Sequence, residues 1–255
     1  MKKRFLLVLA AVFASVALHA QFISAISMAV PHYYPGEIYF MDGHTEEFAE
    51  IELPKGGKSK IGVKKDAADK KHYDIDAADI RALKISHKKF PEMEHVLFHV
   101  PIKKEFMHAH DQWGMLVMHS EWGNLFLCEQ QYVINNSTGD IEYVKTREYN
   151  TITWYYYLLP AGWDEGRVLI TKQDIYGFTK MKVKQTFTGG AKRVAEFFKE
   201  NTKIHDGILS GEITADDMQY ILDEMAGGKK AEEPDSAAPE AKTDSVHNGV
   251  VGDDE

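Results

Sequence analysis

A chain of 255 residues, 44% of them hydrophobic, can bury a sizeable core in one large domain or two small ones. Its formal charge of −9 argues against sequence-independent nucleic-acid binding, which rests on neutralising phosphates. One cysteine, Cys128, excludes an intramolecular disulfide, and its apolar setting Leu125-Phe126-Leu127 reads as core.

The first element in chain order is an address. Lys2, Lys3 and Arg4 precede an apolar stretch from Phe5 to Leu18, and Ala20-Gln21 offers a cleavage point after a small residue. This pattern predicts a secretory signal peptide over residues 1–20. The apolar stretch is shorter than the ~20 residues a membrane span needs. Export to the periplasm or the extracellular space is expected. Gln21 stands where a lipoprotein would carry cysteine, so no lipid anchor and no membrane span are expected. The leader holds three cations and no anion, so the remainder carries −12.

Residues 21–188 read as a β-rich domain. Gly36 to Phe40 leads into the turn Asp42-Gly43, a hairpin signal, and Phe48 to Leu53 follows, ending at Pro54 and Gly56-Gly57. Further strands are expected at Ile61–Lys65, Tyr73–Ile75, Arg81–His87, Val96–Val100, Met115–Ser120 and Asn124–Ile134. Asn135 to Asp140 is a turn, and Ile141–Arg147, Thr151–Leu159 and Arg167–Thr171 complete the series. Many short, regularly punctuated strands predict mainly antiparallel β, a sandwich or open barrel. Trp113-Gly114 and Trp122-Gly123 are alike, and read as neighbouring strand starts.

After Gly189-Gly190 the apolar period changes to that of helices, so the whole is α+β. Val194, Phe197 and Phe198 share a face, as do Ile204, Ile208 and Leu209. Thr214 is placed to cap a third helix with Asp217 at its third position and Met218, Ile221, Leu222 and Met225 as its stripe. Short amphipathic helices need a surface to cover, so residues 189–228 should pack on the sheet. Residues 229–255 lack aromatics and carry many acids, the composition of a disordered acidic tail.

Several residue groups suggest chemistry. His95, His99, His108, His110 and His119 fall within one short stretch; His108 and His110 share a face of extended chain. With His119 or Asp111 they form a possible zinc set, against the plainer reading of partly exposed strand histidines. Trp154 to Tyr157 put two aromatics on each face of a strand; Trp154 and Tyr156, with Trp163, form a possible platform for a sugar or apolar ligand, against core packing. Glu121 and Glu129 are carboxylates of the kind a glycosidase pairs in space. The lysines of Lys55 to Lys71 read as a solvated loop and strand edge. No catalytic signature is found: the chain has no G-x-S-x-G elbow and no phosphate-binding glycine loop.

The segment Pro35 to Thr45, with Gly36-Glu37-Ile38 leading to Asp42-Gly43-His44-Thr45, resembles the opening of a family of uncharacterised exported β-rich proteins of Bacteroidota. Asp79-Ile80-Arg81-Ala82-Leu83-Lys84-Ile85 and the closing Phe197-Phe198, Ile208-Leu209 and Met218 to Met225 are similar too, so the resemblance spans roughly residues 35–226. Phe48 or Ala49 departs from the family's usual glycine. The resemblance carries over no catalytic residue. Asp235-Ser236-Ala237 and Asp244-Ser245-Val246 resemble the O-glycosylation acceptor of exported proteins in that phylum, which makes Ser236 and Ser245 candidate glycosylation sites. The expected role is a secreted or periplasmic, non-enzymatic module, without cofactor, that binds an envelope protein or glycan. A metal-dependent hydrolase using His108 and His110 is the alternative, and a small-ligand-binding β-barrel the third.

Overall fold

The computed structural model describes residues 31–103, 111–129, 131–143, 151–177 and 180–227. The chain divides into two units, Met1–Tyr33 and Tyr34–Glu255, and only residues 31–33 of the first are described. Residues 1–20, where a signal peptide is expected, and residues 229–255, where an acidic tail is expected, lie outside the described residues.

The first four strands are β1 (Tyr33–Phe40), β2 (Thr45–Glu52), β3 (Lys60–Lys64) and β4 (Tyr73–Asp76). They are followed by β5 (Ile80–His87), β6 (Phe90–Val100), β7 (Gln112–Ser120), β8 (Gly123–Glu129), β9 (Tyr132–Ile134) and β10 (Ile141–Tyr143). The last three are β11 (Thr151–Pro160), β12 (Arg167–Tyr176) and β13 (Met181–Phe187). The expected antiparallel β class holds. One sheet runs β13-β12-β11-β8-β7-β6-β5-β1-β2-β3-β4, and β9 pairs with β10 in a small second sheet. The turn between β1 and β2 forms where expected, with Gly43 at a φ of 94° that L side chains rarely adopt.

Alternation sends successive residues of the central strands to opposite faces. Leu97 and Trp113 enter a core with Ile38, Ile51, Leu83 and Ile85, closed by Tyr132 and Ile134 of β9. Phe98 and Leu116, their neighbours in pattern, enter a second core on the other face with Val100, Phe126 and Tyr157. Two bridges mark how the sheet curls around them. Lys55, beyond β2, pairs with Gln131, beyond β8, and Ile102, beyond β6, pairs with Gly166, before β12. The sheet nevertheless does not close into a barrel, because β13 and β4 end its order. This corrects the β-barrel alternative: the strands curl around packed side chains on both faces rather than around one lumen.

Helices α1 (Ala191–Phe197), α2 (Thr202–Ser210) and α3 (Met218–Met225) cover the face of β8, β11 and β12 that presents Leu125, Leu158 and Leu169. Val194, Phe198, Ile204, Ile208, Ile221 and Leu222 bury against it, each gaining about 1.5–3 kcal/mol where the side chain is large. Thr214 forms the expected capping box with Asp217, opening a 3-10 turn (Ala215–Asp217) that runs into α3. Leu209 departs from the expected stripe and is half exposed, because it sits one position past the buried Ile208 on a 3.6-residue turn.

Two strand expectations also change. Asn124–Ile134 is not one strand but β8 and β9, since Gln131 leaves the large sheet to bridge Lys55. The strand β13 follows Thr171 and β12 without a sequence signal strong enough to single it out, being exposed along most of its length.

Candidate functional site

Of the expected metal set, only Asp111 and His119 are among the described residues. His108 and His110 lie outside the described residues. Asp111 precedes β7 and His119 nearly ends it, which at about 3.3 Å per residue separates them by over 20 Å along the strand. The two therefore cannot complete one site. Asp111 Oδ1 accepts a hydrogen bond from the Ile102 amide at 3.2 Å, and its other oxygen lies 3.6 Å from His99 Nε2. His119 Nδ1 lies 2.6 Å from Asn124 Oδ1, and His95 Nε2 lies 2.7 Å from the Gly139 carbonyl oxygen. His99 is buried against Trp113, ring centres 5.2 Å apart. Burial holds its pKa below the ordinary histidine value, opposed by the charges of Asp111 and Asp76. No group of three or more metal-ligating side chains occurs among the described residues.

The aromatic platform is divided. Trp154 is buried and its indole N–H donates to Asp174 Oδ2 at 2.6 Å. Tyr156 shares that face of β11 and packs between the helix-covered core and Leu127, Ile152 and Trp154. Burial first, then the charges of Asp174 and Glu129, push its hydroxyl pKa up to about 12. Trp163 stands apart in the β11–β12 turn, 47% exposed, 5.4 Å from the Phe197 ring. Trp154 and Tyr156 are packing residues on β11, while Trp163 presents a separate surface. Glu121 and Glu129 do not pair either. They lie before and at the end of β8, Glu121 exposed and Glu129 buried. Ser236 and Ser245 lie outside the described residues.

Burial accounts for Cys128 as expected: it is enclosed in the second core, which raises its thiol pKa well above the ordinary value. Three of the seven lysines of the basic stretch are matched by acids of β2. Lys58 pairs with Glu52, Lys64 Nζ lies 3.2 Å from Glu50, and Lys65 Nζ lies 2.7 Å from Glu46.

An open groove of about 610 Å³ lies across β1, β2, β5 and β6. It is lined by Pro35, Glu37, Glu47, Lys65, Lys84 and Glu94 among others, with Phe48 in its wall. The register explains the polar row. Glu37 stands opposite Lys84, and Ser86 opposite Glu94, on the face turned away from Ile38 and Leu83. Lys84 Nζ lies 2.9 Å from Glu37 and 3.4 Å from Glu94, and the Tyr39 hydroxyl donates to Glu37 at 2.7 Å. Partial burial works to raise the Glu37 pKa, but the bonds from Tyr39 and Lys84 outweigh it and hold the carboxyl below its usual value. Burial likewise works against the Lys84 charge and is outweighed by Glu37, Tyr39 and Glu94, which leave its pKa raised. Both groups are therefore charged at neutral pH and held in place.

Gly36 sets the groove's upper rim. A Cβ there would stand 2.0 Å from the Lys84 carbonyl oxygen, so the β1 and β5 backbones approach more closely than any side chain permits. A row of fixed charges beside Pro35 suits recognition of a polar ligand. Sequence reading missed this site. The alternation of Glu37 and Tyr39 was visible, but Lys84 and Glu94 come from strands far along the chain. Comparison with protein-family models, with curated proteins and with solved structures finds no match to this chain.

Proposed function

We propose that the chain is an exported protein of the periplasm or cell exterior that works as a non-enzymatic binding module, holding an envelope protein or glycan in the groove across β1, β2, β5 and β6. The observation that carries this reading is the Glu37–Lys84–Glu94 row lining an open groove of about 610 Å³, with the Tyr39 hydroxyl donating to Glu37. Its charges are already paired and oriented, so a ligand meets a surface that needs little ordering on binding. The first twenty residues support export through their basic, then apolar, pattern.

Envelope fractions and a glycan array, probed with the wild-type chain and with Lys84→Glu, test the groove. Binding should fall about tenfold or more in Lys84→Glu, because removing one member of a charged set in a binding site leaves its partners unmatched. Lys199→Glu, on the exposed turn after α1, should bind as the wild type does. Equal binding by all three chains would sink the groove as the site. Intact mass of the protein purified from its native host tests export: a chain beginning at Gln21 is expected, and a retained leader would refute it.

A further inference from the structure

The two ends of the large sheet are complementary to each other. At one end, β13 begins Met181-Lys182-Val183-Lys184, all exposed, with Met181 at 50% and Val183 at 54%. Met181 and Val183 stand opposite Tyr176 and Asp174 on one face; Lys182 and Lys184 stand opposite Ile175 and Gln173 on the other. The second half of β13 is engaged on the Met181 face, where the Gln185 side-chain amide donates to the Ala215 carbonyl oxygen at 2.7 Å. Four residues of edge are left open. No ion pair joins Lys182 or Lys184 to a described residue.

At the other end, β4 is Tyr73-Asp74-Ile75-Asp76, also four residues. Tyr73 and Ile75 stand opposite Val63 and Ile61 on the core face, and Asp74 and Asp76 stand opposite Gly62 and Lys60 on the other. Tyr73 is 46% exposed, and Asp74 and Asp76 are exposed too. No ion pair joins either aspartate to a described residue. The two edges thus carry the same apolar–charged alternation with opposite charge.

Every neighbouring pair of strands in the order from β13 to β4 runs antiparallel where the register is given, and the β1–β2 turn makes that pair antiparallel as well. With eleven strands, β13 and β4 therefore point the same way. A second copy in the same orientation brings its β4 beside β13 in parallel, with like faces continuous. Lys182 and Lys184 then meet Asp74 and Asp76 on one face, and Met181 and Val183 meet Tyr73 and Ile75 on the other. Alternate backbone N–H and C=O groups of each edge, unpaired within one sheet, find partners across the contact.

We propose that the chain associates with a second copy of itself by adding the β4 edge of one copy to the β13 edge of the next. Like edges repel, since β13 against β13 sets lysines together and β4 against β4 sets aspartates together. Only the unlike pairing is attractive, and it is head to tail, so it leaves a free edge at each end and extends to a ring or an open filament. Four residues of parallel pairing make a small interface, so association is weak and concentration-dependent. The inference does not rest on the groove, which lies on other strands.

Sedimentation and light scattering of the full chain between about 1 and 100 µM, at low and high salt, read the association directly. The wild type should grow beyond a monomer with concentration, and added salt should reverse this. Lys182→Asp/Lys184→Asp and Asp74→Lys should each remain monomeric, and an equimolar mixture of the two should recover association, because each edge of one variant is complementary to the opposite edge of the other. The variant carrying all three changes should associate again. These positions are exposed, so each variant should fold, and circular dichroism is the check. A wild type that stays monomeric throughout would overturn the proposal. So would association that survives either charge reversal.

Discussion

The two halves of the sheet seal their apolar faces by different means. From β1 to β7 the sheet curls over its own core, with Trp113 fully buried at its centre and the β9–β10 hairpin as a lid. From β8 to β12 the corresponding face is covered by three short helices that have no core apart from it. The first half is closed by pairings within the sheet, and the second by a separate element laid on it. The contrast predicts that damage in the first half unravels the whole sheet, whereas damage under the helices can release them first.

The largest effect should come from Trp113→Ala. Its ring fills the first core beside His99, and Tyr132 donates from its hydroxyl to the Trp113 carbonyl oxygen at 2.6 Å. Chemical denaturation should show a loss of about 5 kcal/mol in a single transition. A separate early transition of the first half would break the comparison. Next, Ile221→Ala, fully buried on α3, should cost about 3 kcal/mol. Hydrogen exchange should then show residues 191–225 losing protection while β5–β7 keep theirs. Uniform loss across both halves would show that the helices are bound into one cooperative unit with the sheet.

A smaller effect sharpens the same point. Thr214→Ala breaks the capping box by removing the hydroxyl that accepts from the Asp216 amide at 3.3 Å and donates to Asp217 Oδ2 at 2.8 Å, and should cost about 1 kcal/mol, read as faster exchange in α3. The smallest effect concerns the first half and its pH response. Burial holds the folded pKa of His99 below the ordinary value of about 6.5. The stability linked to it is therefore present above that pH and lost as pH falls through the lowered value, because the unfolded chain takes up a proton that the folded chain resists. His99→Phe, which keeps a ring against Trp113, should lose less thermal stability than the wild type between about pH 7.5 and 5.5. An identical acid response in both chains would remove His99 from the account.

Much of the fold was legible before any pairing was known. Asp42-Gly43 and the Asn135–Asp140 tract announced their turns, and Thr214 with Asp217 announced a helix start, because each depends on backbone preferences within a few residues. The four aromatics of Trp154 to Tyr157 were rightly split between two faces, since alternation along a strand is local as well. The candidate sites fared differently. Asp111 and His119 are close in sequence yet one precedes β7 and the other nearly ends it, and Glu121 lies before β8 while Glu129 ends it, because an extended chain carries nearby residues apart. Glu37 and Lys84 are distant in sequence yet paired, because β1 and β5 are neighbours in the sheet. Trp163 was grouped with Trp154 and Tyr156 by proximity in the chain, but the turn after β11 takes it toward Phe197 instead.

By itself, the sequence determined where the chain turns, which residues alternate in strands, where the last helix is capped, and that Cys128 belongs inside. These follow from dihedral preference, side-chain period and apolarity, which act over one to a few residues. Only the tertiary structure decided the order of the strands, the placement of one core on each face of β6 and β7, the assembly of the Glu37–Lys84–Glu94 row, and the opposite charges of the two sheet edges. Those depend on hydrogen-bonded pairings between segments far apart in the chain, and the energy that selects them comes from burying both faces at once.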